Sequence, residues 1–138
     1  MADEGSGRAS RRPPTTASRG RAAEALAAAF LEAEGFEILA RNHRTRRGEV
    51  DLVCREGEVL CFVEVRSRAS LAQGGPEETV DQAKARRVVA AATDWALRNG
   101  GLERAIRFDV VAVTDAPAGP SLTLFRAAFD GDGKPGLW

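Results

Sequence analysis

The chain carries no surplus of charge. Its 20 basic and 20 acidic side chains give a formal net charge of zero over 138 residues. Affinity for a polyanion would therefore have to come from a basic face, because the total supplies none. Lysine is scarce: only Lys84 and Lys134 stand among the arginines. Arginine forks fit phosphate oxygens in pairs, although arginine-rich usage also arises from genomic bias. Cysteine is limited to Cys54 and Cys61, within one expected hairpin. They lack the paired spacing of a zinc site and are too few for a disulfide framework, so both read as small buried apolar residues in a reducing cytoplasm. No run is apolar for long enough to span a bilayer, and the N-terminus has no apolar signal core. The expectation is a cytoplasmic protein with no membrane partner. There is no internal repeat.

The composition, 43% hydrophobic and 29% charged, is that of one folded domain. Residues 1–17 are small, polar and punctuated by proline, and read as a flexible tail; residues 129–138 read as a second. Between them, residues 18–128 form the domain. Ser18 is placed to cap a helix over 18–34, which Gly35 ends. Strands are expected over 36–41, 49–55 and 59–67, the last two forming a hairpin around Glu56-Gly57. A Gly74-Gly75-Pro76 break opens a second helix, with Glu77 and Glu78 at its positive end and Asn99-Gly100 at its close. Strands over 106–114 and 122–125 follow. This order gives an α/β fold: a mixed sheet with a central hairpin, flanked by two helices.

The hairpin holds the chemistry. Val50, Leu52 and Cys54 alternate with Glu49, Asp51 and Val53, while Val59, Cys61, Val63 and Val65 alternate with Leu60, Phe62, Glu64 and Arg66. The two apolar sets belong on one side, since a one-residue slip would send one of them to the polar face. A register such as Leu52 opposite Cys61 meets that requirement. It projects Glu49, Asp51, Glu64 and Arg66 from the other face, with Asp51 diagonal to Glu64, about 5–8 Å apart at the Cβ atoms. Two ionised carboxylates so close call for a positive partner, either Arg66 or a divalent cation. Converging carboxylates supply the hard oxygen ligands that Mg²⁺ prefers, and Mn²⁺ accepts the same set. The competing reading is a surface ion-pair ladder, but Val53, Leu60 and Phe62 share the face and partly cover it. Glu24 aligns with Ala28 and Leu31 on the inward stripe of the first helix and adds a third carboxylate.

The run Arg19-Gly-Arg-Ala-Ala-Glu24, then Gly48-Glu-Val-Asp51-Leu-Val, then Phe62-Val-Glu64-Val-Arg66-Ser-Arg68 resembles the YraN-like family of bacterial proteins. Gly75-Pro76, Lys84, Ala90-Ala91-Ala92 and Arg107-Phe108-Asp109-Val110 continue the match, so it covers about residues 19–114. That family in turn resembles the PD-(D/E)xK nuclease superfamily, with its Holliday-junction resolvases and restriction-endonuclease-like folds. The resemblance implies that Asp51 is the aspartate of the first motif, Glu64 the acid of the second, and Glu24 the helix-borne acid that completes a Mg²⁺ or Mn²⁺ site. Arg66 stands where the superfamily usually has lysine. Arginine keeps its proton, so Arg66 would stabilise charge on phosphate and not act as a base. Resolvase-like relatives also suggest a homodimer.

Arg41-Asn-His43-Arg44-Thr-Arg46-Arg47 reads as a basic connection beside this site, with Arg68 and Lys84 extending it as nucleic-acid contacts. A charge-rich loop is often only a solvated loop. His43 reads as a loop side chain or an incidental phosphate contact, and Asp109 as a structural residue paired with Arg107 or a neighbour. On the second helix Val80, Ala83, Val88, Ala91, Ala92 and Trp95 form an apolar core stripe. Three functions fit the pattern. The first is a divalent-metal-dependent endonuclease acting on DNA, with branched or damaged DNA among its candidate substrates. The second is an inactive nucleic-acid-binding module on the same fold, and the third a protein-interaction module.

Overall fold

A computed structural model describes residues 16–68, 81–101 and 103–136. Helix α1, Thr16–Ala33, is rich in alanine, the strongest helix former. It begins two residues ahead of Ser18, which therefore lies inside the helix instead of capping it. Gly35 takes a positive φ of 98°, and the Phe36 amide reaches back to the Leu31 carbonyl at 2.9 Å, closing the helix as its sequence suggests. Ala23, Ala27, Ala28 and Leu31 form its buried stripe.

Strand β1, Glu37–Arg44, runs three residues beyond its expected end, because its pairing with β2, Glu49–Glu56, continues to Arg44↔Glu49. Much of the basic connection is thus strand. Only a tight turn remains, where the Thr45 amide donates to the Gly48 carbonyl and Thr45 Oγ1 accepts from the amides of Arg47 and Gly48.

Strand β3 spans Val59–Arg68. The β2–β3 register is Glu56↔Val59, Cys54↔Cys61 and Leu52↔Val63, so Leu52 does not face Cys61. The turn residues are Gly57-Glu58, one position later than expected, with Gly57 in the left-handed region at φ 59°. The register moves by two residues, and the paired side chains keep their faces. Leu52, Cys54, Cys61 and Val63 pack under α1. Val53, Leu60 and Phe62 lie on the other face, which is fully buried where partial cover was expected. Val50 departs from the alternation and joins Val53, at the end of β2 that runs past the last β3 pair.

The cover is α2, Gln82–Asn99. Parallel strands need a crossover, and α2 supplies it between β3 and β4, Ile106–Thr114. Asp81 caps α2 by accepting from the amides of Ala83 and Lys84, so the helix opens later than residue 76, and Gly100 closes it at φ 69°. Gly74-Gly75-Pro76, Glu77, Glu78 and Val80 lie outside the described residues. The buried face of α2 is Ala85, Val88, Ala91, Ala92 and Ala96; Ala83 is exposed, and Trp95 is half-buried edge-on to Phe62. Small side chains let α2 approach closely: a Cβ on Gly48 would stand 1.9 Å from the Arg87 carbonyl oxygen.

Strand β5, Ser121–Phe129, is longer than residues 122–125 and completes a mixed five-stranded sheet in the order β1-β2-β3-β4-β5. The chain then turns back. Asp130 accepts from the amides of Asp132 and Lys134, Phe129 bridges to Pro135, and Gly133 is buried against α2. Residues 130–136 are therefore held where a loose tail was expected; residues 1–15, 137 and 138 lie outside the description. Among the described residues no helix is long and apolar enough to cross a membrane.

Candidate metal and nucleic-acid site

The β2–β3 ladder ends at Leu52↔Val63. One residue on, the Asp51 carboxylate takes the place of a backbone partner and accepts from the Val65 amide at 2.8 Å. Strand sequence thus fixes the position of Asp51, and a side-chain hydrogen bond fixes its orientation. Glu64, next to Val65, is only 2% exposed. A cleft of about 660 Å³ opens here, bounded by Glu24 of α1, the Thr45–Gly48 turn, Asp51 and Glu64, and Lys84 of α2.

Burial in the cleft wall pushes the Asp51 carboxyl up to about 7. Loss of hydration is the main cause; the Val65 amide opposes it, and the negative fields of Glu24, Glu64 and Glu49 add to it. Glu64 meets cations: Lys84 Nζ lies 3.1 Å and Arg66 Nε 3.3 Å from its Oε2. Neither approach has hydrogen-bond geometry at that atom, so Oε2 is buried with charge nearby but no hydrogen bond. Attraction between charges tolerates angles that a hydrogen bond does not, so the ion pairs stand without one. Arg66 also donates to Glu64 Oε1 at 3.4 Å, a long contact.

The expected acids Glu24, Asp51 and Glu64 all line the cleft. They do not close on a common point: among the described residues no three His, Cys, Asp or Glu are grouped tightly enough to hold a metal as they stand. Glu24 reaches Asp51 as a field. Asp51 and Glu64 are the pair that could hold a divalent cation, one with a raised carboxyl and one with an unbonded buried oxygen. Added positive charge would relieve the first and a coordinate bond would satisfy the second, so the residues fit such an ion.

Of the expected nucleic-acid contacts, Arg44, Arg46, Arg47 and Lys84 line the cleft, whereas Arg41 does not. The Arg68 side chain lies outside the described residues. Lys84 does more than border the cleft, since it pairs with Glu64. The available signal was its rarity, as one of two lysines in an arginine-rich chain. His43 sits on β1 and not in a loop, with Nε2 2.8 Å from Asp94 of α2. Asp94 and the cleft-lining Arg87 were not singled out from the sequence; a contact between distant elements leaves no local pattern.

The family model described as Uncharacterised protein family UPF0102 matches residues 23–113. The chain belongs to the UPF0102 family. A UPF0102 protein of Anaeromyxobacter sp. (strain Fw109-5) is 76% identical over 121 residues, covering 88% of this chain and 91% of the relative. Another, from Anaeromyxobacter dehalogenans (strain 2CP-C), is 74% identical over 119 residues, with 86% and 89% covered. A third, from Desulforapulum autotrophicum, is 43% identical over 113 residues, with 82% and 93% covered. Membership agrees with the motifs that suggested the YraN-like family, and the matched span of the UPF0102 model contains Glu24, Asp51, Glu64 and Lys84.

Proposed function

We propose that this UPF0102 protein is a divalent-metal-dependent nuclease that hydrolyses nucleic-acid phosphodiesters, with DNA as substrate. The observation that carries the reading is the meeting of Asp51 and Glu64 where β2 and β3 part, in a cleft rimmed by arginines. Asp51 and Glu64 would hold the cation, Mg²⁺ or Mn²⁺. Bound there, the cation would supply Lewis-acid polarisation of the phosphodiester and activation of water.

The chain's own residues do the rest. Arg44, Arg46 and Arg47 hold the phosphate backbone across the mouth of the cleft. Lys84, held beside Glu64, offers a positive charge that can move from carboxylate to phosphate when substrate enters. Arg66, a guanidinium, acts as a fixed positive charge and not as a base. Glu24 keeps the field at Asp51 negative and favours cation over water. The resemblance to resolvases extends the proposal to branched or damaged DNA and to a homodimer with one cleft per chain.

The test is cleavage of end-labelled linear, flapped, gapped and four-way-junction DNA, and of single-stranded RNA, with Mg²⁺ or Mn²⁺. Wild type should cut at least one DNA substrate, and Asp51→Ala should lose about a hundredfold or more. An Asp51→Ala protein that cuts as well as its parent removes the site from the reaction. A second reading has its own observation. Glu64 is already flanked by Lys84 and Arg66, which is a charge balance that needs no metal. A binding module without catalysis would show salt-dependent DNA binding, no cleavage of any substrate, and no response to the cation.

A further inference from the structure

On the far side of the Thr45–Gly48 turn lies a second cleft of about 560 Å³, walled by His43 and Arg44 of β1, Arg46 and Arg47 of the turn, and Asp94 and Arg98 of α2. We propose that it is a second nucleic-acid groove, which takes the backbone flanking the cleavage site so that substrate crosses the Arg46-Arg47 turn and occupies both clefts. The proposal rests on the nucleic-acid reading above and adds a substrate requirement: the strand must be long enough to span the turn.

Three features carry it. Arg44, Arg46 and Arg47 line both clefts, so one basic ridge divides two continuous concave surfaces. The ridge is rigid. Thr45 Oγ1 ties the turn internally, and Gly48 presses on the α2 backbone so closely that no side chain fits. A backbone fixed in this way leaves only side-chain freedom to be lost when the arginines meet a phosphate. The second cleft is also unbalanced. Of its four arginines, Arg44 pairs with Glu49 and Arg98 with Asp94, which also binds His43 Nε2 at 2.8 Å; Arg46 and Arg47 have no ion pair among the described residues and leave the surface positive. Arg98 is 71% exposed at its side chain, with its remaining donors available to a phosphate. Leu97, at 64% exposure, adds an apolar wall for a sugar or base.

Binding without divalent cation separates this groove from catalysis. Fluorescent DNA duplexes of about 8 and about 25 base pairs, at one charge per roughly 1.7 Å of axis, are titrated over a range of salt. Wild type should hold the long duplex much more tightly than the short one. Arg98→Ala should weaken the long duplex about five- to tenfold and reduce its salt slope by about one. Arg98→Lys should recover most of the slope. If wild type binds the long duplex and Arg98→Ala matches it in affinity and slope, the groove is overturned while the nucleic-acid reading stands. If wild type binds no duplex, both fall. Equal capture of poly-glutamate would make the cleft an acidic-protein surface and would likewise overturn the groove.

Discussion

Two carboxylate–cation clusters share the central strands and have opposite electrostatics. Near the β2–β3 turn, Asp109 is fully buried and receives two hydrogen bonds from Arg107, at 2.8 and 2.9 Å, and one from the Ala127 amide. Arg107 also donates to Glu56, which Arg126 grips through two bonds, and both guanidinium groups lie over the Phe36 ring. Arg126 and Arg107 hold the Glu56 carboxyl down to about 2. Further back along β2, burial pushes Asp51 up to about 7. Both clusters use Asp, Glu and Arg. In the first, every carboxylate has geometric hydrogen bonds from fixed partners. In the second, burial and like charge outweigh one amide bond. The first arrangement holds a fold together, and the second carries a burial cost that the proposed cation would relieve.

The largest expected contrast is in stability. Asp109→Ala leaves Arg107 without its main partner and the Ala127 amide without an acceptor, so it should cost about 3–5 kcal/mol, read by thermal unfolding. Asp51→Asn should do the reverse. Asparagine keeps an oxygen for the Val65 amide and removes the penalty of burying charge. The sign follows from protonation. The unfolded Asp51 gives up its proton near 3.8, while the folded carboxyl holds it to about 7, so wild-type stability falls as pH rises between those values. The Asp51→Asn gain should be absent below pH 4 and level off above pH 7, at no more than about 4 kcal/mol from 1.36 kcal/mol per pK unit. Equal destabilisation by both variants would break the comparison.

A smaller effect of the opposite sign belongs to Glu56. Its carboxyl is depressed, so its contribution is complete above about 4.5 and is lost as pH falls towards 2. Glu56→Gln should flatten that acid loss. Because Arg126 is open to solvent and Glu56 is partly so, the change should be below about 1 kcal/mol. Smallest is Arg44→Ala, which removes an exposed pair with Glu49 and should change stability by less than about 0.5 kcal/mol. Its DNA affinity at low salt should nonetheless fall several-fold, which would separate binding charge from structural charge.

The face of the paired hairpin residues was readable because alternation has a period of two, and the two-residue shift in register preserved it; Val50, beyond the last pair, is the exception. For the same reason Asp51, Glu64 and Arg66 could be assigned to one surface. That α2 seals this surface could not be read locally: its start depends on the Asp81 cap, and its close approach depends on Gly48 meeting Arg87 across the fold. The length of β1 was missed because Asn42, His43 and Arg44 lack strand character, and pairing with β2 decides their conformation. The Lys84–Glu64 and His43–Asp94 pairs are long-range contacts and left no spacing to detect. Asp109 was legible as a structural residue through its alternation with Arg107, but its second task, satisfying the Ala127 amide, depends on the β4–β5 register irregularity.

Calorimetric titration of Mn²⁺ into the full chain at pH 7, with Asp51→Asn and Glu64→Gln alongside, tests the central claim most directly. Wild type should bind Mn²⁺ at one site and release protons on binding, because Asp51 is partly protonated at that pH, and both variants should lose the site. Failure of wild type to bind Mn²⁺, or binding that survives both substitutions unchanged, would contradict it.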